Sequence, residues 1–363
     1  MTIIKAGTTS TTGFVVDTDA SGTLILQSGG SNTAVAFDSQ TQQAVFTHPI
    51  SQPGGFMFRN KLINGSMAID QRNAGAAQTI TAAAALAYTI DRWYAYCTGA
   101  NVTGQRIAGS GDTEYRYRFT GAASVTKIGF AQRIEATNSY DLNGSTATLS
   151  VDLANSLLTT VTWTAWYANT ADTFGTLASS TRTQIATGTF TVNSTVTRYS
   201  TQITIPSSAK TGIEIEFSVG AQTSGTWTIG NVQLERGSAA TPFEQRPIGL
   251  ELSMCQRYFY RWSSSSAAFQ ILSNATVIST TEIDSNFNFP VTMRVTPTAV
   301  FSASSNFFAD NGTSLSSASV ALIDAYSTGG CIRFSGLSGL TTNQARKIRA
   351  SSTSAFINFS SEL

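Results

Sequence analysis

Catalysis by a protein needs placed nucleophiles, acids or bases, and this chain supplies few of them. His48 is its only histidine, beside Pro49 and just ahead of the turn-prone residues 51–55 (SQPGG). A Ser/His/Asp triad would have to use it, but a solvated loop histidine is the weightier reading, because loops lie on surfaces. Asp91, Glu135, Asp141, Asp152, Glu214 and Glu216 are the acids available in the middle of the chain. Two of them drawn from distant strands would suffice for glycoside hydrolysis. Glu214 and Glu216, however, alternate with Ile213, Ile215, Phe217 and Val219. That spacing puts both acids on the outer face of a strand, where they are expected to be solvated. Cys97, Cys255 and Cys331 are widely spaced and odd in number, so they read as buried, reduced thiols and not as a disulfide framework or metal knuckle. No phosphate loop or dinucleotide fingerprint occurs. No catalytic residue, metal ligand or cofactor is therefore assigned, and a calcium ion held by loop carboxylates and carbonyls is left open.

A second kind of chemistry needs no nucleophile, since an aromatic ring packs on the apolar face of a pyranose. Trp93, Trp163 and Trp227 fall on the inner faces of inferred strands and read as core. Trp166, Tyr94 and Tyr96 fall on the opposite faces. An exposed tryptophan calls for a partner; a neighbouring subunit ranks first and a glycan second. Phe307, Phe308 and Tyr326 flank turn-rich segments farther along and complete the set of candidate ligand-binding residues, with core as the competing reading for all three.

The elements that must position these side chains are strands. Charged residues make up 12% of the chain, about half the usual ~25%. Hydrophobic residues still reach 41% and aromatics 10%, which separates the chain from disordered sequences. β-branched and aromatic residues mixed with Gly, Asn and Ser turn formers give an all-β protein. A net charge of +1 leaves no electrostatic footprint for nucleic acid or an anionic membrane. No apolar run is long enough for a transmembrane helix, and no secretory signal is visible at the N-terminus, so cytoplasmic synthesis without membrane insertion is expected.

Residues 1–55 carry short strand signals with too few large side chains for a core of their own, which predicts an edge-paired or intertwined element stabilised by oligomerisation. Residues 56–240 alternate as seven or eight strands of a sandwich, with turns at Asn64-Gly65 and, as a hairpin, at Asn143-Gly144. Trp227 and Ile229 are odd whereas Val232 and Leu234 are even, a slip best explained by a bulge at Gly230-Asn231. Pro242 and Pro247 break residues 241–262, the joint. There Ile248, Leu252, Cys255, Phe259 and Trp262 form a helical stripe. It fits either a short three-stranded coiled coil or a helical turn followed by a strand from Arg257. Residues 263–363 resume short strands as a second, smaller sandwich, with Pro290 marking 286–295 as an edge strand.

Four segments occur in order: NKLINGSMAIDQR (60–72), YTIDRW (88–93), WTIGNVQLERGSAATPFEQRP (227–247) and ELSMCQRYFY (251–260). Together they resemble bacteriophage tail-fibre and receptor-binding proteins with a carbohydrate-binding-module-like jelly roll. FNFPVTMRVTPT (287–298) resembles the C-terminal β-sandwich of such proteins, and the first 50 residues look like the β repeats that attach fibres to a virion. The resemblance implies a homotrimeric virion component assembled in the host bacterial cytoplasm. Residues 1–55 would dock on other tail or neck proteins, with the C-terminal sandwich distal. The expected function is multivalent, non-catalytic recognition of a host-surface polysaccharide. The alternatives are a purely structural head or neck fibre or decoration protein, and a polysaccharide depolymerase.

Overall fold

The slip in alternation at Gly230-Asn231 becomes a bend in the longest strand of the molecule. In the computed structural model, which describes residues 58–363 apart from 83–85, 112 and 311–313, and the backbone of four earlier strands, Asn231 has φ +46°. On the neighbouring strand Ser150 pairs with Gln233 and Asp152 with Gly230, so Asn231 and Val232 together oppose one residue. This is the expected bulge, and it lets Trp227, Ile229, Val232 and Leu234 all enter the core.

Residues 1–56 form a compact unit of their own. Its described strands β1 (Asp17–Thr18), β2 (Leu24–Gln27), β3 (Thr33–Phe37) and β4 (Ala44–Phe46) make an antiparallel sheet in sequence order. His48 and residues 51–55 lie outside the described residues.

The second unit, Met57–Leu363, begins with a sandwich of two six-stranded antiparallel sheets. Its strands are β5 (Gln78–Ile80), β6 (Ala87–Ile90), β7 (Trp93–Thr98), β8 (Val102–Ala108), β9 (Tyr115–Thr120), β10 (Lys127–Ile134), β11 (Thr146–Asn155), β12 (Thr160–Ala168), β13 (Arg182–Thr191), β14 (Thr197–Thr204), β15 (Ile213–Val219) and β16 (Thr226–Arg236). One sheet runs β13-β12-β15-β10-β7-β6 and the other β14-β11-β16-β9-β8-β5. From β13 to β16 the chain changes sheet at every step, which gives the jelly-roll layering. Both inner faces feed one core, in which Trp93 stacks on Phe130 at 4.9 Å and Trp227 on Phe119 at 5.1 Å. Trp93, Trp163 and Trp227 are buried there as expected. The Asn143-Gly144 pair is a turn but no hairpin: it joins a helical turn, α1 (Ala136–Ser139) and Tyr140–Leu142, to β11.

Asn60 and Gln132 tie the segment 60–67 to this sandwich. Gln132 exchanges two hydrogen bonds of 2.7 Å with the Ile63 backbone, as a strand neighbour would. Asn60 donates to the Val232 carbonyl freed by the bulge (2.9 Å) and accepts from Leu62 and Leu234 N–H at 3.0 Å.

The stripe at 248–262 resolves as helix then strand. α2 (Ile248–Gln256) starts after Pro247 and stops before β17 (Phe259–Ser263). Cys255 and Tyr258 pack on Ile63 and Ile69 in a small core of their own. A coiled coil continuing to Trp262 is ruled out, because Trp262 pairs with Ile357 in a sheet.

The remaining strands are β18 (Ile271–Val277), β19 (Glu282–Asn288), β20 (Thr298–Phe301), β21 (Phe307–Asp310), β22 (Ser314–Ser316), β23 (Ser319–Tyr326), β24 (Gly329–Ser335), β25 (Ala345–Ala350) and β26 (Phe356–Ser360). A three-stranded sheet, β17-β26-β20, covers a seven-stranded one, β22-β21-β25-β18-β19-β24-β23. β19 is interior and stops before Pro290, so the expected edge strand over 286–295 is not formed. The proline terminates the strand and does not sit within it.

Candidate functional site: a charged aromatic sheet face

Alternation along β7 buries Trp93, Ala95 and Cys97 in the core and turns Tyr94 and Tyr96 to the opposite face. Pairing carries that face across the sheet. Tyr94 lies opposite Ala131, Ala131 opposite Glu216, and Glu216 opposite Thr164. One pleat along, Arg133, Glu214, Trp166 and Gln184 form a second row. Gly129 makes room for this arrangement, since a Cβ there would stand 2.1 Å from the Tyr96 ring.

The face is laced by charge. The Tyr96 hydroxyl donates to the Glu216 carboxylate. Lys127 and Arg182 approach the two Glu216 oxygens at 3.3 Å each. Arg133 holds Glu214 at 2.8 Å, and Arg182 pairs with it too. The Arg182 guanidinium lies 4.4 Å from the Trp166 ring, and that of Arg133 lies 5.3 Å from the Tyr94 ring and 5.2 Å from the Phe174 ring. Burial, reinforced for Tyr96 by Glu216, pushes both tyrosine hydroxyls well above the usual phenol range, so they are neutral donors.

The sequence placed Glu214 and Glu216 in solvent, and it put Tyr94 and Tyr96 on the face opposite the core for a subunit or a glycan to cover. Instead Glu214 and Tyr94 are 0% exposed, Glu216 4% and Tyr96 9%. The cover comes from chain far away. The Gly175 carbonyl accepts from Arg133 (2.9 Å), Leu177 packs on the tyrosines, and the Leu363 carbonyl accepts from Arg133 (2.8 Å) and Tyr88 (2.9 Å). Trp166 is half-buried and Gln184 opposite it exposed, and Lys127, three pleats away on β10, has 44% of its side chain exposed, so the face is open in part. Two buried polar atoms on it, the Tyr94 hydroxyl and Trp166 Nε1, have no hydrogen-bond partner among the described residues.

No protein-family model matches the chain, and no curated protein matches it. Among solved structures, the enzymatically active domain of bacteriophage CBA120 tailspike protein 4 aligns at 17% identity and TM-score 0.31, covering 49% of this chain and 22% of that one. A CBM4 structure aligns at 16% identity and TM-score 0.31 over 48% of this chain and 98% of that one. TmCBM61, solved with β-1,4-galactotriose, aligns at 12% identity and TM-score 0.32 over 49% of this chain and 99% of that one. These are partial likenesses.

The other acids are engaged elsewhere. Asp91 is sealed from solvent and accepts from Gln71 N and Nε2 at 2.7 and 2.6 Å; burial raises its carboxyl to about 7. Glu135 receives a two-pronged contact from Arg257 at 3.1 and 3.0 Å. Asp141 pairs with Lys61, and Asp152 with Arg198. Among the described residues no group of three or more His, Cys, Asp or Glu is arranged to hold a metal ion. The three cysteines are free and buried.

Phe307, Phe308 and Tyr326 are not brought together with Trp166, Tyr94 and Tyr96; they belong to the second sandwich. Phe307 is core, 6.2 Å from Trp262, and Phe308 is covered by Phe269. Tyr326 alone of these is open, at 65% exposure on edge strand β23. Sequence reasoning missed Lys127, Arg133 and Arg182. The first two could have been found, because Lys127, Gly129, Ala131 and Arg133 share the parity opposite Ile128, Phe130 and Ile134.

Proposed function

We propose that this protein is a non-catalytic, glycan-binding component of a bacteriophage tail fibre or tail appendage, working as a homotrimer on the virion. The observation that carries glycan binding is the sheet face where half-buried Trp166 lies beside the Arg182 guanidinium, which also pairs with Glu216, and where exposed Gln184 stands opposite Trp166. A saccharide ring packs on an indole, and its hydroxyls both donate to and accept from an amide such as that of Gln184. The virion location is supported by the sequence resemblance of residues 60–72 and 227–260, and three sites in fixed geometry would gain from avidity.

Glu214 and Glu216 support a binding role over a hydrolytic one. A carboxylate that acts on a glycosidic bond must reach it, whereas each of these two is buried and gripped by two cations. The purely structural reading is favoured by one observation, the cover that residues 175–177 and 363 place over Tyr94 and Tyr96.

Retention of the protein by host-envelope polysaccharide, with the wild type and Trp166→Ala side by side, tests the proposal. Retention lost in the variant supports it; no retention of either leaves the structural role. A reducing-sugar assay on the same incubation separates the enzyme, which would release oligosaccharide. Native mass measurement tests the trimer.

A further inference from the structure

The inner face of the second sandwich holds two serines where its neighbours hold large apolar groups. On β19, Ile283 and Phe287 point inward with Ser285 between them; on β18, Ala275 and Val277 point inward in line with Ser273. Ser285 is 1% exposed. Its hydroxyl and that of Ser273 hydrogen-bond each other, and neither has another partner among the described residues. A hydroxyl carries one hydrogen. One is used in that bond, so the pair retains a second hydrogen with no acceptor.

Above the serines lies a cavity of about 120 Å3. Its walls are the half-buried side chains of Tyr260, Trp262, Leu272 and Phe287, and exposed Asn288 stands on its rim. The three-stranded sheet roofs it without closing it. A site of this kind demands a small apolar group, for which an apolar void of about 150 Å3 is known to suffice when the guest is benzene. It also demands one acceptor atom for the spare hydroxyl hydrogen. An aromatic rim favours a ring outside the cavity.

We propose that this cavity receives the acetyl group of an N-acetylated hexosamine. The methyl fills the apolar chamber, the acetamide carbonyl accepts from the Ser273–Ser285 pair, and the pyranose stays at the mouth against Trp262. Asn288 offers the acetamide N–H an acceptor. The inference rests on the glycan-binding reading but places a second site, of stated specificity, in the other sandwich.

Saturation-transfer NMR and calorimetry on the full chain test it with the methyl glycosides of N-acetylglucosamine and of glucose. The acetyl methyl should show the strongest transfer, and the glucose compound should bind at least tenfold more weakly. Leu272→Trp, which fills the chamber, and Ser285→Val, which removes the donor, should each weaken N-acetyl binding at least tenfold while the protein still melts cooperatively. Trp166→Ala should leave it unchanged. Ser285→Val that melts higher and binds as the wild type does would show a mere packing fault and overturn the proposal. So would equal binding of the two glycosides, or loss of binding in Trp166→Ala. Retained N-acetyl binding alongside failed polysaccharide retention would count against the first sandwich's face alone and support this site.

Discussion

The Arg92 guanidinium and the Glu362 carboxylate, 270 residues apart in sequence, form an ion pair from which water is almost excluded, their side chains being 1% and 5% exposed. Arg72 reaches the other Glu362 oxygen at 2.9 Å, and Arg92 lies flat over the Tyr258 ring at 3.4 Å. The pair thus binds the turn before β7 to the residues after β26. Removing one member of such a pair leaves buried charge uncompensated, at a cost of about 3–5 kcal/mol. Glu362→Ala is expected to lower the melting temperature by roughly 10 °C. Arg92→Met combined with Glu362→Leu should recover part of that loss. A scan in which Glu362→Ala melts with the wild type would show the pair to be inconsequential.

Gly65 makes a second, local prediction. A Cβ there would stand 2.1 Å from the Val232 carbonyl oxygen, the same carbonyl that the bulge presents to Asn60, and the Val232 N–H donates to the Gly65 carbonyl at 3.0 Å. Because the obstacle is backbone, the segment 60–67 would have to move away. Gly65→Ala should destabilise by at least 2 kcal/mol, roughly the upper part of the common range for single substitutions, and expose residues near Asn60 to faster amide exchange.

Asp91 predicts a pH dependence. Its folded pKa, about 7, lies above its ordinary 3.8 because burial disfavours the carboxylate. Between those values the folded state holds a proton that the unfolded state has released, so stability falls as pH rises through this window. At about 1.4 kcal/mol per pH unit the whole effect is a few kcal/mol. Urea denaturation at pH 5 and pH 7.5 should show the protein weaker at the higher value, and Asp91→Asn should flatten the difference. Below this window the sign reverses for Glu135. Burial would raise that group, but the hydrogen bonds from Arg257 and Tyr258 hold it below its ordinary value, and its contribution is lost as pH falls through the folded pKa.

The bulge at Asn231 was legible because a strand has period two and a parity slip has few remedies. The core tryptophans were legible for the same reason. Tyr96 and Glu216 were placed on the correct face, but Glu216 wrongly in water, since alternation tells which side a residue takes and says nothing of what covers that side. The cover here is loop backbone at Gly175 and the strand-free residues 361–363, neither of which has a period to read. Phe307 and Phe308 were open between tip contact and core, because turns flank them; both adjacent residues of β21 are buried, Phe307 in the core and Phe308 under Phe269. The stripe Ile248–Trp262 had the spacing of a continuous helix. The strand preference of Tyr258, Phe259, Tyr260 and Trp262 also allowed a helical turn followed by a strand, and pairing of Trp262 with Ile357 selects that alternative, with the strand from Phe259.

The central claim is that the face containing Trp166 and Lys127 binds glycan without cleaving it. Its most direct test is calorimetric titration of the full chain with purified host-envelope polysaccharide, with Trp166→Ala titrated in parallel and the products analysed for new reducing ends. Saturable binding that falls at least tenfold in the variant, with no new reducing ends, is the predicted result. Binding that Trp166→Ala leaves intact, or release of oligosaccharide, would contradict it.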